Sequence, residues 1–174
     1  MVYEISAIVF KQMNFEDIYR QFSPKIFRVC MGYVNDYGQA QDLTQETFIA
    51  VWQNLSAFKN ESKISTWIFR IATNLCLRAV EKSKRVKITD LPFDLPVREQ
   101  SAESGKREAR LQFLYDCISE LTERDRIIIS LFLEDVPQAE IADIVGLSSA
   151  NVRVRVHRTK DKIANKFKRS GRFD

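Results

Sequence analysis

Histidine is almost missing from this chain: one residue, His157, in 174. Metal sites built on imidazole and Ser/His/Asp triads therefore lack material. Cysteine is scarce too. Cys30, Cys76 and Cys117 are widely spaced, odd in number and without CxxC spacing. That argues against a disulfide framework or a zinc site and leaves small buried thiols. No Gly-rich phosphate loop occurs, and the Asp/Glu pairs lie on charged helix faces rather than in a catalytic cluster. An enzyme finds little to work with, and neither a cofactor nor a small-molecule substrate is expected. Five glycines and four prolines are too few for a turn-rich β protein. No apolar run approaches a membrane-spanning length, and the N-terminus lacks the basic region of a signal peptide. The expectation is a cytoplasmic protein that does not span a membrane.

What is present is a folded, helical composition, 45% hydrophobic and 11% aromatic. Net charge is only +4, so the local distribution carries the signal. Helical periodicity predicts a segment over 15–34 with a bend at Ser23-Pro24, then a turn at Asn35-Asp36-Tyr37-Gly38. A long helix follows from Gln39 to about Phe58, then a polar loop over 59–63. A third helix opens at Ser65 or Thr66 and runs to about Lys84. From Arg85 to about Gly105 the periodicity fails and Pro92, Pro96, Ser101, Ser104 and Gly105 mark a linker that leans acidic. Helical patterning resumes near Lys106, with one helix over 111–121 and, after a capping box at Thr122–Asp125, another through Leu133. The fold class is all-α: two small helical domains joined by a flexible linker, with boundaries at 1–84, 85–107 and 108–174.

Residues 137–158 read as two short helices around a tight turn, the helix-turn-helix pattern. Pro137 suits a first helical position, Gly146 a turn with positive φ, and Ser148 or Ser149 an N-cap. Val152, Val156, Ile163 and Phe167 form an apolar side, with Arg153, His157, Arg158 and Lys162 away from it. An ordinary hairpin with a solvated basic face would explain the turn alone. The charge partition argues for DNA: residues 150–174 carry nine Lys/Arg and two Asp/Glu, whereas 111–149 carry two and eight.

Two N-terminal helices carry unusual faces. Asp42, Gln45, Glu46, Ile49 and Gln53 share one stripe, opposite Leu43, Phe48, Trp52 and Leu55. Periodicity alone makes that stripe solvated, although Ile49 suits a partner surface. In the next helix Thr66, Arg70, Asn74, Arg78 and Lys82 follow a four-residue step beside Trp67 and Lys63, while Ile68, Ile71, Ala72, Leu75 and Ala79 face the core. Cations beside aromatics suit an opened nucleic acid, where bases stack and phosphates pair. The same residues would also serve as core aromatics and surface charge.

The order Asp42-Leu43-Thr44-Gln45-Glu46-Thr47-Phe48-Ile49-Ala50-Val51-Trp52, then Phe58, then Ser65-Thr66-Trp67-Ile68-Phe69-Arg70-Ile71-Ala72-Thr73-Asn74, resembles region two of bacterial sigma factors. The C-terminal helix-turn-helix resembles their region four, and the compact layout resembles the extracytoplasmic-function (ECF) group. The resemblance implies a polymerase-binding face at Asp42, Gln45, Glu46 and Ile49, docking on the β′ clamp helices. It implies −10 contacts from Lys59, Asn60, Ser62, Lys63, Thr66, Trp67, Arg70, Asn74 and Arg78. It implies −35 contacts from Ser149, Asn151, Arg153, Val154, His157 and Arg158, with the β flap as a further polymerase contact. Arg153 suits a guanine edge or a phosphate equally, and Val154 suits a thymine methyl. The implied partners are RNA polymerase core, promoter DNA and an anti-sigma factor. The rival reading is a stand-alone helix-turn-helix regulator, which explains residues 110–168 and leaves the motifs over 39–82 idle.

Overall fold

Helix caps written in the sequence set the element boundaries of the computed structural model, which describes residues 14–59, 61–85 and 102–171. Helix α1 spans Phe15–Val34 and starts where the Asn14 side chain accepts from the Asp17 amide at 2.9 Å. It is continuous through Pro24 and stops at Asn35, whose φ of 50° is left-handed. Only Asn35 and Asp36 separate it from α2, Tyr37–Asn54, capped by the Asp36 side chain on the Gln39 amide. A 3₁₀ turn, Leu55–Ala57, ends α2, so the helix is shorter than periodicity predicts. Helix α3 runs over Ile64–Arg85.

Helix α4, Ala102–Ser119, begins a turn before Lys106, where helical patterning resumes, and is continuous with the helix expected over 111–121. Residues 105–110 are all exposed. They carry no apolar stripe to announce a helix, and α4 starts within the segment read as linker. The acidic stretch over 86–101 lies outside the described residues. Helix α5, Glu123–Leu133, is capped by Thr122. Helix α6, Gln138–Val145, has Pro137 as its N-cap, one position earlier than expected. The Pro137 carbonyl already accepts from the Ile141 amide at 2.9 Å, and its missing N–H costs nothing there. Gly146 closes α6 at φ 67°, a left-handed conformation that penalises any side chain. Helix α7, Ser149–Ser170, is capped by Ser148.

The described residues contain no strand. Ile18, Phe22, Ile26, Val29 and Tyr33 of α1 are buried at helical spacing against Leu43, Phe48 and Val51 of α2 and Ile64, Ile68, Ala72 and Cys76 of α3. The hydroxyls of buried Thr44 and Thr47 are satisfied by the Ala40 and Leu43 carbonyls, each at 2.7 Å. Cys76 donates to the Cys30 sulfur at 3.8 Å. That bond, with burial, holds the Cys76 thiol well above its ordinary pKa. The cysteines are inert core residues, as their spacing predicts.

Helix α5 is the centre of the C-terminal half. Its residues 127–131 are buried without interruption, so the helix is covered on every side. One face meets α7 through Val152 and Val156, and another meets α1. The two halves consequently share one hydrophobic core. Helix α5 packs tightly on α1 at Gly32, where a Cβ would stand 2.2 Å from Ser130 Oγ and 3.1 Å from Ser130 Cβ. Only glycine admits α5 this close.

Candidate nucleic-acid interface

The C-terminal surface rests on α7. Val152, Val156 and Thr159 anchor it in the core, and Ile163 and Phe167 are half-buried along the same side. Opposite them, Ser149, Asn151, Arg153, Val154, His157 and Arg158 are exposed. Val154 is 55% exposed, an apolar side chain presented among cations. The His157 ring meets Asp161 at 3.1 Å, one turn on. Arg155 does not join this face. It bonds the Asn151 side-chain oxygen at 2.9 Å and Asp125 at 2.7 Å, tying α7 to the start of α5. Sequence reasoning left Arg155 without a role, because nothing within a helical turn distinguishes it from Arg153.

Asp125 is fully engaged. Burial raises its pKa, but the Thr122 hydroxyl (2.8 Å) and the Arg155 guanidinium outweigh that and bring it below the usual carboxylate value. A carboxyl depressed on folding stabilises the fold above its unfolded pKa and loses that contribution as pH falls through the folded value. Asp125→Asn is therefore expected to cost about 1–3 kcal/mol at neutral pH. The difference from the unaltered chain should vanish in acid. Urea unfolding at neutral pH and at pH 3 checks this; an equal deficit at both would assign the loss to shape rather than charge.

The N-terminal ridge lies on α3. Arg70, Asn74 and Arg78 are exposed, as is Lys59; Ser62 and Trp67 are half-buried. Trp67 packs on Phe58, ring centroids 4.9 Å apart. Asn60 and the Lys82 side chain lie outside the described residues. The upper end of the ridge is covered. Thr66 is only 5% exposed because its hydroxyl donates to Glu140 of α6 at 2.8 Å. Lys63 pairs with the other oxygen of the same carboxylate, and Arg70 donates to the Asp143 carbonyl at 3.2 Å.

On α2, Asp42, Gln45, Glu46, Ile49 and Gln53 are exposed as one stripe. Trp52, grouped with the core side for its hydrophobicity, is instead 65% exposed. Its ring stands edge-on to Phe15 at 4.9 Å, and exposed Tyr19 contacts Phe48 in the same way. The stripe thus has an aromatic border. The signal was present: at 100° per residue Trp52 falls roughly 20° from Gln45. Hydrophobicity had assigned it inward. Among the described residues no His/Cys/Asp/Glu group is arranged to hold a metal ion, and no helix is long and apolar enough to cross a membrane.

Residues 18–86 match the family model for Sigma-70 region 2, and residues 112–163 that for Sigma-70, region 4. The chain is 26% identical over 169 residues to the ECF RNA polymerase sigma factor SigW of Bacillus subtilis (strain 168), covering 90% of each. It is 25% identical to SigM of the same organism over 162 residues, 90% of this chain and 97% of that one. Its fold is similar to that of the sigma factor RpoE solved in complex with the anti-sigma factor NepR from Bartonella quintana. That match has a TM-score of 0.68 at 21% identity, over 88% of this chain and 96% of the other. With both region models matched in order and relatives aligned along nine-tenths of its length, the chain belongs to the sigma-70 family as an RNA polymerase sigma factor of the ECF type.

Proposed function

We propose that the chain directs promoter-specific initiation through these three surfaces. The α2 stripe of Asp42, Gln45, Glu46 and Ile49, bordered by Trp52, docks on the β′ clamp helices of core polymerase. The 59–63 loop and the α3 ridge of Thr66, Trp67, Arg70, Asn74 and Arg78 take the opened −10 element. Helix α7 reads the −35 element in the major groove with Ser149, Asn151, Arg153, Val154, His157 and Arg158, and the β flap supports it. Residues 1–84 are thus the clamp and −10 unit, 85–107 the connection, and 108–174 the −35 unit. The nucleotide chemistry belongs to the polymerase, in the cytoplasm, and an anti-sigma factor is a further partner.

The observation that carries the reading is the two-sidedness of α7: Val152 and Val156 buried, with Arg153, His157 and Arg158 outward. A helix so anchored offers cations and one apolar side chain to a groove without unfolding. The test is run-off transcription with purified bacterial core polymerase and a promoter library, with and without the protein. Start-site-specific transcripts that require the protein support the assignment and return its promoter. Firm duplex binding without polymerase, and no transcripts, would instead make it a stand-alone regulator. Arg153→Ala is expected to weaken upstream-element recognition by about 1–3 kcal/mol and relax specificity at one base. A uniform loss across sequences would reassign Arg153 to phosphate.

A further inference from the structure

The side-chain amide of Asn151 is held by one edge. Arg155 Nε donates to its Oδ1 at 2.9 Å from one helical turn on. An arginine side chain carries only donors, so the atom facing it is the oxygen, and the Nδ2 amine is the edge left over. Arg155 is itself fixed. Its Nη1 donates to Asp125 Oδ1 at 2.7 Å, and the other Asp125 oxygen accepts from the Thr122 hydroxyl at 2.8 Å. The Arg155 and Asp125 side chains are 32% and 15% exposed, so water competes little for either charge. Asn151 is exposed, and among the described residues nothing accepts from its Nδ2.

Asn151 is the third residue of α7, and a recognition helix meets base edges with its N-terminal residues. A free asparagine reads adenine with both edges: the oxygen accepts from N6 while the amine donates to N7. Here the oxygen is taken. The remaining amine, set against adenine N6 or cytosine N4, would place donor against donor, whereas guanine O6 and thymine O4 accept.

We propose that Arg155 is a positioning residue that makes Asn151 a donor, so that α7 selects a keto base, guanine or thymine, over adenine or cytosine at one position of the −35 element. The inference rests on the −35 assignment above and adds to it which chemical edge one residue reads.

The test is run-off transcription by core polymerase carrying the full chain. The template is the promoter returned by the library, with each base placed in turn at every position of its upstream element. Asn151→Ala locates the contact as the one position where preference disappears. The unaltered chain should favour guanine or thymine there by about tenfold. Asn151→Asp, an acid in the first turn of a helix and so compatible with folding, should reverse that preference, because the oxygen not held by Arg155 accepts from an amino base. Arg155→Lys keeps a charge opposite Asp125 but loses the planar second donor. It should raise use of adenine relative to the keto bases about fivefold at this position and leave the other positions as they were. A uniform fall across all sequences, with that preference unchanged, would make Arg155 merely structural and overturn its positioning role. An adenine preference in the unaltered chain, or no position flattened by Asn151→Ala, overturns the proposal. Scrambling the whole upstream element separates the two failures. Unchanged initiation removes the −35 assignment and this inference with it. Lost initiation, with no position flattened by Asn151→Ala, removes this inference alone.

Discussion

Alanine at Asp42, Gln45 and Glu46 together is expected to abolish polymerase-dependent transcription while leaving the fold intact. All three side chains are exposed on α2, and the same helix buries Leu43, Phe48 and Val51 on its other side. Exposed substitutions away from caps and core move stability by about 0.5 kcal/mol or less, so thermal melting should not change. At an interface the same truncations act differently. With each worth about 1–2 kcal/mol, the triple variant loses roughly a hundredfold or more in affinity for core polymerase. Trp52→Ala should add to that loss, because exposed tryptophan bordering a polar stripe has the character of an interface anchor. Pull-down with core polymerase, alongside circular dichroism, decides it. Unaltered polymerase binding by the triple variant would mean the partner surface lies elsewhere.

Arg28→Ala is expected to be the most destabilising single change to the union of the two halves. Its guanidinium meets both oxygens of Glu134, and the Glu134 bond raises the Arg28 pKa more than burial lowers it. Glu134 is 8% exposed and Arg28 45%. Truncation therefore strands a carboxylate that water barely reaches. Removing one partner of a buried pair costs about 3–5 kcal/mol; the half-exposed arginine places this case at about 2–4 kcal/mol. Lysine is not a substitute, since one ammonium cannot make two parallel bonds. Arg28→Ala with Glu134→Gln should recover part of the loss, because no charge is left buried. Urea unfolding reads this as a lower midpoint for Arg28→Ala and an intermediate one for the pair. A midpoint equal to that of the unaltered chain would show that the apolar contacts of α1 with α5 suffice.

Most of the local architecture was legible from residues close together in the chain. Thr122 and Ser148 cap the helices whose starts their positions predict, while Asn14 and Asp36 cap two more by the same short-range bond. Gly146 takes the left-handed turn its position predicts. The buried side of α7 follows its apolar spacing, and the stripe on α2 is exposed as one face. These outcomes depend on backbone donors and side chains one turn apart, so a short window of sequence contains both partners.

The misreadings share another cause. Periodicity is a statement about one helix. Hydrophobicity outweighed it at Trp52, whose angle lies with Gln45, and periodicity is silent over residues 102–105 because an exposed helix start needs no apolar stripe. By itself the sequence determined an all-α chain, its caps, its helix-turn-helix and the separation of acidic from basic stretches. Only the tertiary structure decided that Arg155 turns inward to Asp125, that Arg28 meets Glu134, and that Glu140 lies on Lys63 and Thr66. Those partners are 30 to 106 residues apart. Which charge pairs with which at that distance is set by how apolar helix faces dock, and docking is settled by the combined shape of many buried side chains rather than by any local rule.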